Sequence, residues 1–583
     1  MLNLLPMPHI LETHDGVCDL NAVVFGTVVG ELPPFVQAEA EAFCTQEGEI
    51  SLTIVCQNDP DNEAYCLAIN EKDITITAVG YKGVYYAMQT LHQLRQNGDT
   101  VPCMSVTDKP DYAYRGFYQD VSRGRIPTVE TVKRLADRLA SLKYNSLQLY
   151  IEHTHRFAEY VGINDDLGYY TDDEVLELDR YCRERCIELV PSLSSFGHLY
   201  YLLEFATYRH LCEMSDHKPT VHNWHDRLIH HTIDPKNPES YALITSLMEQ
   251  YIPLFSSDRF NICCDETFDL CKGKNAGGDV AATYVEFVSK LVKFLQERGK
   301  TVMMWGDIVM QHPEVLTQLP DGIEYLNWCY DMKGNGLKPE LLAEHNKPQI
   351  ICPSVHSHKR FVEKIVYNRP NIASVLESGL AHGAIGMLNT NWGDYGHVCF
   401  DEGMLYGLAY GGAKAWNVCG TDDTFDEAVC RLVYQSSTEV LEILRTLGNC
   451  DELWFEREGY EMALWELTVQ MFDRTVGVPE NYDYRLSVLR ANDLAGKRRD
   501  ALACAERLAQ MPMDTEIGEA LALAAKMIAA VFAVLMDVCN GAVTDDTAQE
   551  MRECLESFEQ LWMRRNKRGE WSGIKGFFES MLG

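Results

Sequence analysis

The chain has 583 residues, of which 46% are hydrophobic and 23% charged, with a formal net charge of −35. That length implies about two to four domains with ordinary soluble cores. The acidic surplus excludes nucleic acid and an anionic membrane surface as main partners, since both repel it, and a neutral substrate fits better.

The opening stretch, MLNLLPMPHILETHDG, has no basic segment ahead of an apolar run and no small-residue cleavage site, so no signal peptide is expected. Residues 1–110 read as a small α/β domain. DITITAVG (Asp73 to Gly80) alternates as a strand does. KGVYYAMQTLHQLRQ then places Val84, Met88, Leu91 and Leu94 on one helical face. From Tyr114 strands and helices alternate. RGFYQDVS is the first strand, followed by a helix from Thr128 to about Leu142. NSLQLYIE is the second, and Thr171 with Glu174 forms a capping box ahead of the next helix. IELVPSLSS is the third and RFNICCDE the fourth, with a strand expected over Phe260 to Cys264 and a helix over Val280 to Arg298. TVMMWGD, IEYLNW, PQIICPS and GAIGMLNTNWGD complete eight. Eight βα units in series predict a (β/α)8 TIM barrel over 111–420. The stretch from Phe196 to Asp258 is a long insertion on it.

Residues 421–583 are rich in Ala, Leu, Glu and Met at helical spacing and read as a C-terminal helical region. It serves either as a dimer surface or as a cover on the barrel's side. Its most apolar run, MIAAVFAVLM (Met527 to Met536), is too short to span a bilayer. The 20 cysteines show no CxxC pair or zinc-like spacing and read as reduced core thiols, which points to the cytoplasm of a bacterium-like cell.

Active residues of such a barrel lie at the C-terminal ends of its strands. Arg115, Asp120 and Arg123 belong to the first strand and its exit. Glu152, His153 and His155 follow the second, and His198 the third. Asp265 and Glu266 close the fourth. Then come Trp305 with Asp307, Trp328 with Tyr330, His356 with His358, and Trp392, Asp394 and His397. Acids, arginine and tryptophans around one mouth suit a sugar: indole faces stack on a pyranose, and charged groups bind its hydroxyls. Two adjacent acids reach one pocket only where the strand ends and turns, and each raises the cost of ionising the other. That divides acid from anion, as a glycosidase requires. Adjacency is awkward for carboxyls that must approach a sugar from opposite faces. It suits a substrate whose own 2-acetamido oxygen attacks the anomeric carbon.

YRGFYQDVSRGRIP, GYYTDDEV, PSLSSFGH, FNICCDE and NTNWGDYGH, in that order, resemble glycoside hydrolase family 20, the β-N-acetylhexosaminidases. The resemblance covers roughly residues 1 to 420. It implies Glu266 as general acid and then base, and Asp265 as the group that holds the acetamido N–H. It implies Arg115 on the sugar hydroxyls, Trp305, Trp328 and Trp392 as pocket walls, and Asp394 on a hydroxyl. Tyr330 is the candidate for the acetamido oxygen, with His198 and Glu152 supporting the sugar site. The substrate implied is a terminal N-acetylhexosamine, with no metal or other cofactor. The chain departs from the family at IEHTHRF, at Phe196-Gly197-His198 in place of Pro-Gly-His, and at PSVHSHKRF, which lacks an expected aromatic. Two other readings stay open: a metal-dependent barrel enzyme of the sugar-isomerase kind, using the His/Glu/Asp mouth, and an idle sugar-binding relative; the pairs His153/His155 and His356/His358 have a spacing that could bind a metal.

Overall fold

A computed structural model describes residues 2–57, 59–214, 224, 227, 231–420, 424–455, 459–472 and 481–583. The N-terminal sheet has six strands, β1 (Ile10–Asp19), β2 (Val23–Val29), β3 (Ile50–Cys56), β4 (Tyr65–Ile69), β5 (Asp73–Ala78) and β6 (Thr100–Asp108), in the order β1-β6-β4-β5-β3-β2. β3 buries alternate residues, as a strand with one covered face must. The helix Tyr81–Asn97 supplies the cover and buries Val84, Met88, Leu91 and Leu94.

Eight parallel strands then close into a barrel: β7 (Tyr114–Asp120), β8 (Ser146–Ile151), β9 (Glu188–Leu193), β10 (Arg259–Asn261), β11 (Thr301–Trp305), β12 (Ile323–Trp328), β13 (Gln349–Cys352) and β14 (Gly386–Asn391). β7, β8, β13 and β14 are buried along their whole length, including the polar residues Arg115, Gln148, Gln349 and Asn389. Helix Val129–Ser141 is capped by Thr128, whose hydroxyl accepts from the Thr131 N–H. Helix Asp172–Arg183 carries the capping box between Thr171 and Glu174. Helix Val280–Gln296 starts at Asp279 and stops ahead of Gly299, which takes φ +74°.

β10 is shorter than expected. It ends at Asn261, whose side chain accepts from the Cys263 N–H at 2.9 Å. Cys263, Cys264 and Glu266 all take positive φ, at 58°, 64° and 47°. A left-handed turn in non-glycine residues costs about 1–2 kcal/mol each, so this strand end is strained. Ile262 and both cysteines are buried although they lie beyond the strand. Burial alone produced their strand-like pattern.

The insertion contains helices Tyr200–Glu204 and Pro238–Tyr251. Most of HDRLIHHT lies outside the described residues, apart from Arg227, His231 and Thr232. The C-terminal region is helical, with a short antiparallel hairpin, Glu452–Phe455 with Tyr460–Ala463, that the sequence reading missed. The apolar run at 527–536 is the middle of a 26-residue helix, Thr515–Asn540. By length and composition that helix could cross a membrane, with mean hydropathy 2.1, yet 72% of its apolar window is buried inside the protein. Helices Leu494–Gln510 and Asp545–Arg565 pack against it. The tail lies on the barrel. The Thr128 N–H donates to Arg565 O, the Lys567 N–H to Ile126 O and the Glu570 N–H to Gly124 O. These contacts fall on the loop that leaves β7, at the mouth.

Candidate active site

Asp265 and Glu266 face a pocket with Arg123, Phe268, Trp305, Trp328, Tyr330, Lys359, Trp392 and Asp394. The left-handed turn after β10 is what aims two consecutive side chains into it. Several backbone contacts hold that turn. Trp305 N–H donates to Cys263 O at 3.0 Å, and Tyr284 Oη to Cys264 O at 2.9 Å. The Glu266 N–H donates to Asp307 Oδ2 at 3.0 Å. The Phe-Gly-His turn presses on the same backbone: a Cβ on Gly197 would sit 2.7 Å from Asp265 O, which only glycine avoids.

The two acids differ in exposure. The Asp265 side chain is 11% exposed and that of Glu266 37%. Asp265 therefore sits at the floor and Glu266 nearer the opening. His198 lies behind both, buried, with Nε2 3.5 Å from Asp265 and 3.4 Å from Glu266. Burial opposes its charge, but the two carboxylates prevail and raise it to about 10. An imidazolium thus offsets the repulsion expected within the pair. The carboxyl driven upward in this cluster is Asp307, raised to about 7 by burial and then by Asp265.

The walls are aromatic. Trp305 and Trp392 have centroids 5.5 Å apart, and Tyr118 packs on each at 5.1 Å. Trp328 and Tyr330 lie 5.1 Å apart at 31°. Trp392 Nε1 donates to Tyr330 Oη at 2.6 Å, and a phenol that accepts keeps its own proton to give. Burial raises that phenol well above its ordinary value, so it acts as a neutral donor.

Arg115, expected on the sugar hydroxyls, is not in the pocket. It stands near the start of β7, roughly 16 Å below the strand's end at about 3.3 Å per residue. Its guanidinium pairs with Glu63 at 2.6 Å and donates to Lys143 O and Tyr112 O. It ties the barrel's floor to the N-terminal domain. The pocket arginine is Arg123, three residues past Asp120. Its Nη1 meets Asp394 Oδ1 at 2.7 Å and its Nε meets Glu152 Oε1 at 3.1 Å. Its guanidinium carbon is 5.2 Å from the Trp392 ring centre. Asp120 shapes its loop by accepting from the N–H groups of Ser122, Arg123 and Gly393.

Glu152 does not line the pocket either. It is buried behind Arg123 and also pairs with Arg227 at 2.9 Å. Burial works against its ionisation, yet Arg227 and Arg123 hold it down at about 2. His198 likewise acts through the acids and not on the pocket surface. Trp305, Trp328, Tyr330, Trp392 and Asp394 do line it. Lys359 and Phe268 were missed. Lys359 stands in the run after β13 where an aromatic was expected, and it pairs with Glu466 of the tail at 3.0 Å. Burial opposes ionisation of Asp394, but Arg123 and Lys359 lower it.

Among the described residues the histidine pairs do not gather into a metal-holding group. His155 meets Asp172 at 3.3 Å and packs on Phe157, and His153 packs on Tyr201. His356 and His358 have ring centres 6.0 Å apart, and burial drives them to about 3 and about 4. Among the described residues, the group close enough to share an ion is His198, Asp265 and Glu266, with ligand atoms within 4.8 Å.

Two family models match the chain: "Glycosyl hydrolase family 20, catalytic domain" over 112–354 and "Glycosyl hydrolase family 20, domain 2" over 31–109. The beta-hexosaminidase of Porphyromonas gingivalis is 24% identical over 362 residues, covering 53% of this chain and 46% of that protein. That of Vibrio furnissii is 26% identical over 309 residues, covering 46% and 49%. The chain thus spans about half the length of these curated relatives. Flavobacterium johnsoniae chitobiase aligns with TM-score 0.60 at 17% identity, over 96% of this chain and 99% of that one. The beta-N-acetylhexosaminidase from Bacteroides fragilis aligns with TM-score 0.59 at 19% identity, over 73% and 94%. At these identities the structural likeness is one of fold.

Proposed function

Because the chain belongs to glycosyl hydrolase family 20, we propose that it is a retaining exo-β-N-acetylhexosaminidase that removes a terminal β-linked N-acetylglucosamine or N-acetylgalactosamine. The observation that carries this is the adjacent pair at a strained strand end, one acid deep and one near the opening, faced by Tyr330 and three tryptophans. In the first step the acetamido oxygen attacks the anomeric carbon and the glycosidic bond breaks. Glu266 gives its proton to the departing oxygen. Asp265 accepts the acetamido N–H and balances the positive charge of the oxazolinium ring, while Tyr330 steadies the acetamido group. In the second step Glu266 takes a proton from water, which opens the ring from the same face that the aglycone left. Arg123 and Asp394 hold ring hydroxyls.

The proposed setting is cytoplasmic and bacterial, supported by all 20 cysteines being free thiols. The tail's packing on the barrel favours a cover over a dimer surface. The test is release of nitrophenol from the β-N-acetylglucosaminide and β-N-acetylgalactosaminide, with the β-glucoside as control. Cleavage of an acetamido sugar but not of the glucoside is expected, and equal cleavage of all three would overturn Asp265's role. The convergence of His198, Asp265 and Glu266 keeps a metal reading testable. Activity that survives exhaustive chelation removes it, and activity lost to chelator and restored by a divalent ion would establish it.

A further inference from the structure

Arg123 does not end its charge network in the barrel. Asp394, Arg123, Glu152, Arg227 and Glu570 form one chain of alternating sign. Its links are 2.7 Å, 3.1 Å, 2.9 Å and 2.5 Å long. Apart from Asp394, at 20%, no member's side chain is more than 7% exposed. The first three belong to the mouth of the barrel, Arg227 to the insertion and Glu570 to the tail, just ahead of the helix Trp571–Ser580.

Glu570 is fixed independently. Tyr201 Oη donates to its Oε1 at 2.7 Å, and its own N–H donates to Gly124 O, the residue after Arg123. Arg227 Nη2 donates to Ser122 O, the residue before Arg123, at 2.8 Å. The backbone on both sides of Arg123 is thus held by the same two residues that end its charge chain. The Tyr201 ring lies beneath the Arg227 guanidinium, whose carbon is 5.0 Å from the ring centre.

We propose that Glu570 and Arg227 are positioning residues for the sugar site: the tail sets the orientation of Arg123 by sharing Arg227 with Glu152. The physical reason is competition for Glu152. With Glu570 present, Arg227 divides its donors between two carboxylates, and one oxygen of Glu152 remains for Arg123. Remove the Glu570 charge and Arg227 draws on Glu152 alone. Arg123 then loses part of the acceptor that fixes its fork, and a guanidinium turned away from the pocket binds hydroxyls less well. The tail would therefore be part of the active site without touching substrate.

This inference rests on the hexosaminidase reading, and its test separates the two. E570Q, R123K and the double variant are compared in kcat/KM on the nitrophenyl N-acetylhexosaminide and in Kd for N-acetylglucosamine, with R227K as a second probe and thermal unfolding in parallel. E570Q is expected to lower kcat/KM by about 10- to 100-fold and to weaken the sugar's binding, consistent with remote partners in other sites. It should add little to R123K, because both act through one group. E570D should recover part of the loss. A tail that merely stabilises the fold would lower the melting temperature and leave Kd and kcat/KM of the folded enzyme unchanged, or would multiply with R123K; either result overturns the proposal. Wild-type enzyme that cleaves neither acetamido sugar removes the parent reading instead.

Discussion

Arg115 and Arg123 make the sharpest contrast the structure offers. Both are buried arginines of the same motif, yet they stand at opposite ends of one barrel strand. Arg115→Met removes one partner of a buried ion pair and leaves Glu63, whose side chain is 7% exposed, without its cation. Breaking such a pair from one side costs about 3–5 kcal/mol, because the remaining charge stays desolvated. The backbone carbonyls of Lys143 and Tyr112 lose a donor as well. R115M should therefore melt well below wild type, while kcat/KM of the enzyme that remains folded changes less than about threefold. Pairing it with E63Q should return part of the stability, since no orphan charge is left. Arg123→Met also orphans buried carboxylates, Glu152 and Asp394, so it should lose stability as well, but unlike R115M it should lose activity in the enzyme that remains folded. On the proposed reading it removes charge-assisted hydrogen bonds to the sugar worth about 1.5–3 kcal/mol each, or about 10- to 100-fold in kcat/KM per bond. Melting curves and nitrophenol release from both variants decide the matter. If R115M loses activity at unchanged stability and R123M does not, the placement of the sugar-binding arginine is wrong.

Asp307 gives a pH prediction with a definite sign. Burial, and then Asp265, raise its carboxyl from 3.8 to about 7. A carboxyl raised by folding favours the protonated folded form, so its stabilising effect is full below 3.8 and is lost as pH climbs to about 7. D307N cannot ionise, and it keeps an oxygen for the Glu266 N–H. It should outlast wild type in thermal unfolding at pH 8, and the difference should vanish near pH 4; equal curves at both would refute the reasoning. For the acids themselves, D265N is expected to lose about 100- to 1,000-fold in kcat on acetamido substrates, the scale of removing one preorganised electrostatic group. E266Q should spare aryl glycosides with good leaving groups more than sugar aglycones, because only the latter need the proton; a uniform loss would argue against its role as acid.

How much of this was legible in the sequence depended on the range of the interaction. The capping box of Thr171 and Glu174 spans three residues, and the β-strands are short runs rich in apolar and aromatic residues that alternate with helical patterns, so the barrel could be read directly. The strand end at Asp265 and Glu266 was visible for the same reason: two acids interrupt an apolar run. What the run could not reveal is that Cys263 and Cys264 leave the strand, since a buried left-handed turn and a buried strand use the same apolar residues. Lys526 splits the apolar run of the 26-residue helix, so the run on either side of it is shorter than the helix itself.

The placement of Arg115 and Arg123 has a different origin. A motif specifies neighbours in the chain, and YRGFYQDVSRGR contains three arginines along one strand and its exit loop. Which of them reaches the mouth is a matter of counting about 3.3 Å per residue from the strand's C-terminal end, and by that count only those beyond Asp120 qualify. The partners that then select Arg123 are far away in sequence. Asp394 is 271 residues distant, and the Arg227–Glu570 link spans 343. No periodicity reports such a contact. What could have signalled it is the cost of the alternative: a buried arginine in the insertion and a buried glutamate in the tail each require a partner of opposite sign. Had burial been known for those two alone, the charge chain to the pocket would have been the economical way to satisfy both, and the tail's place against the mouth would have followed from it.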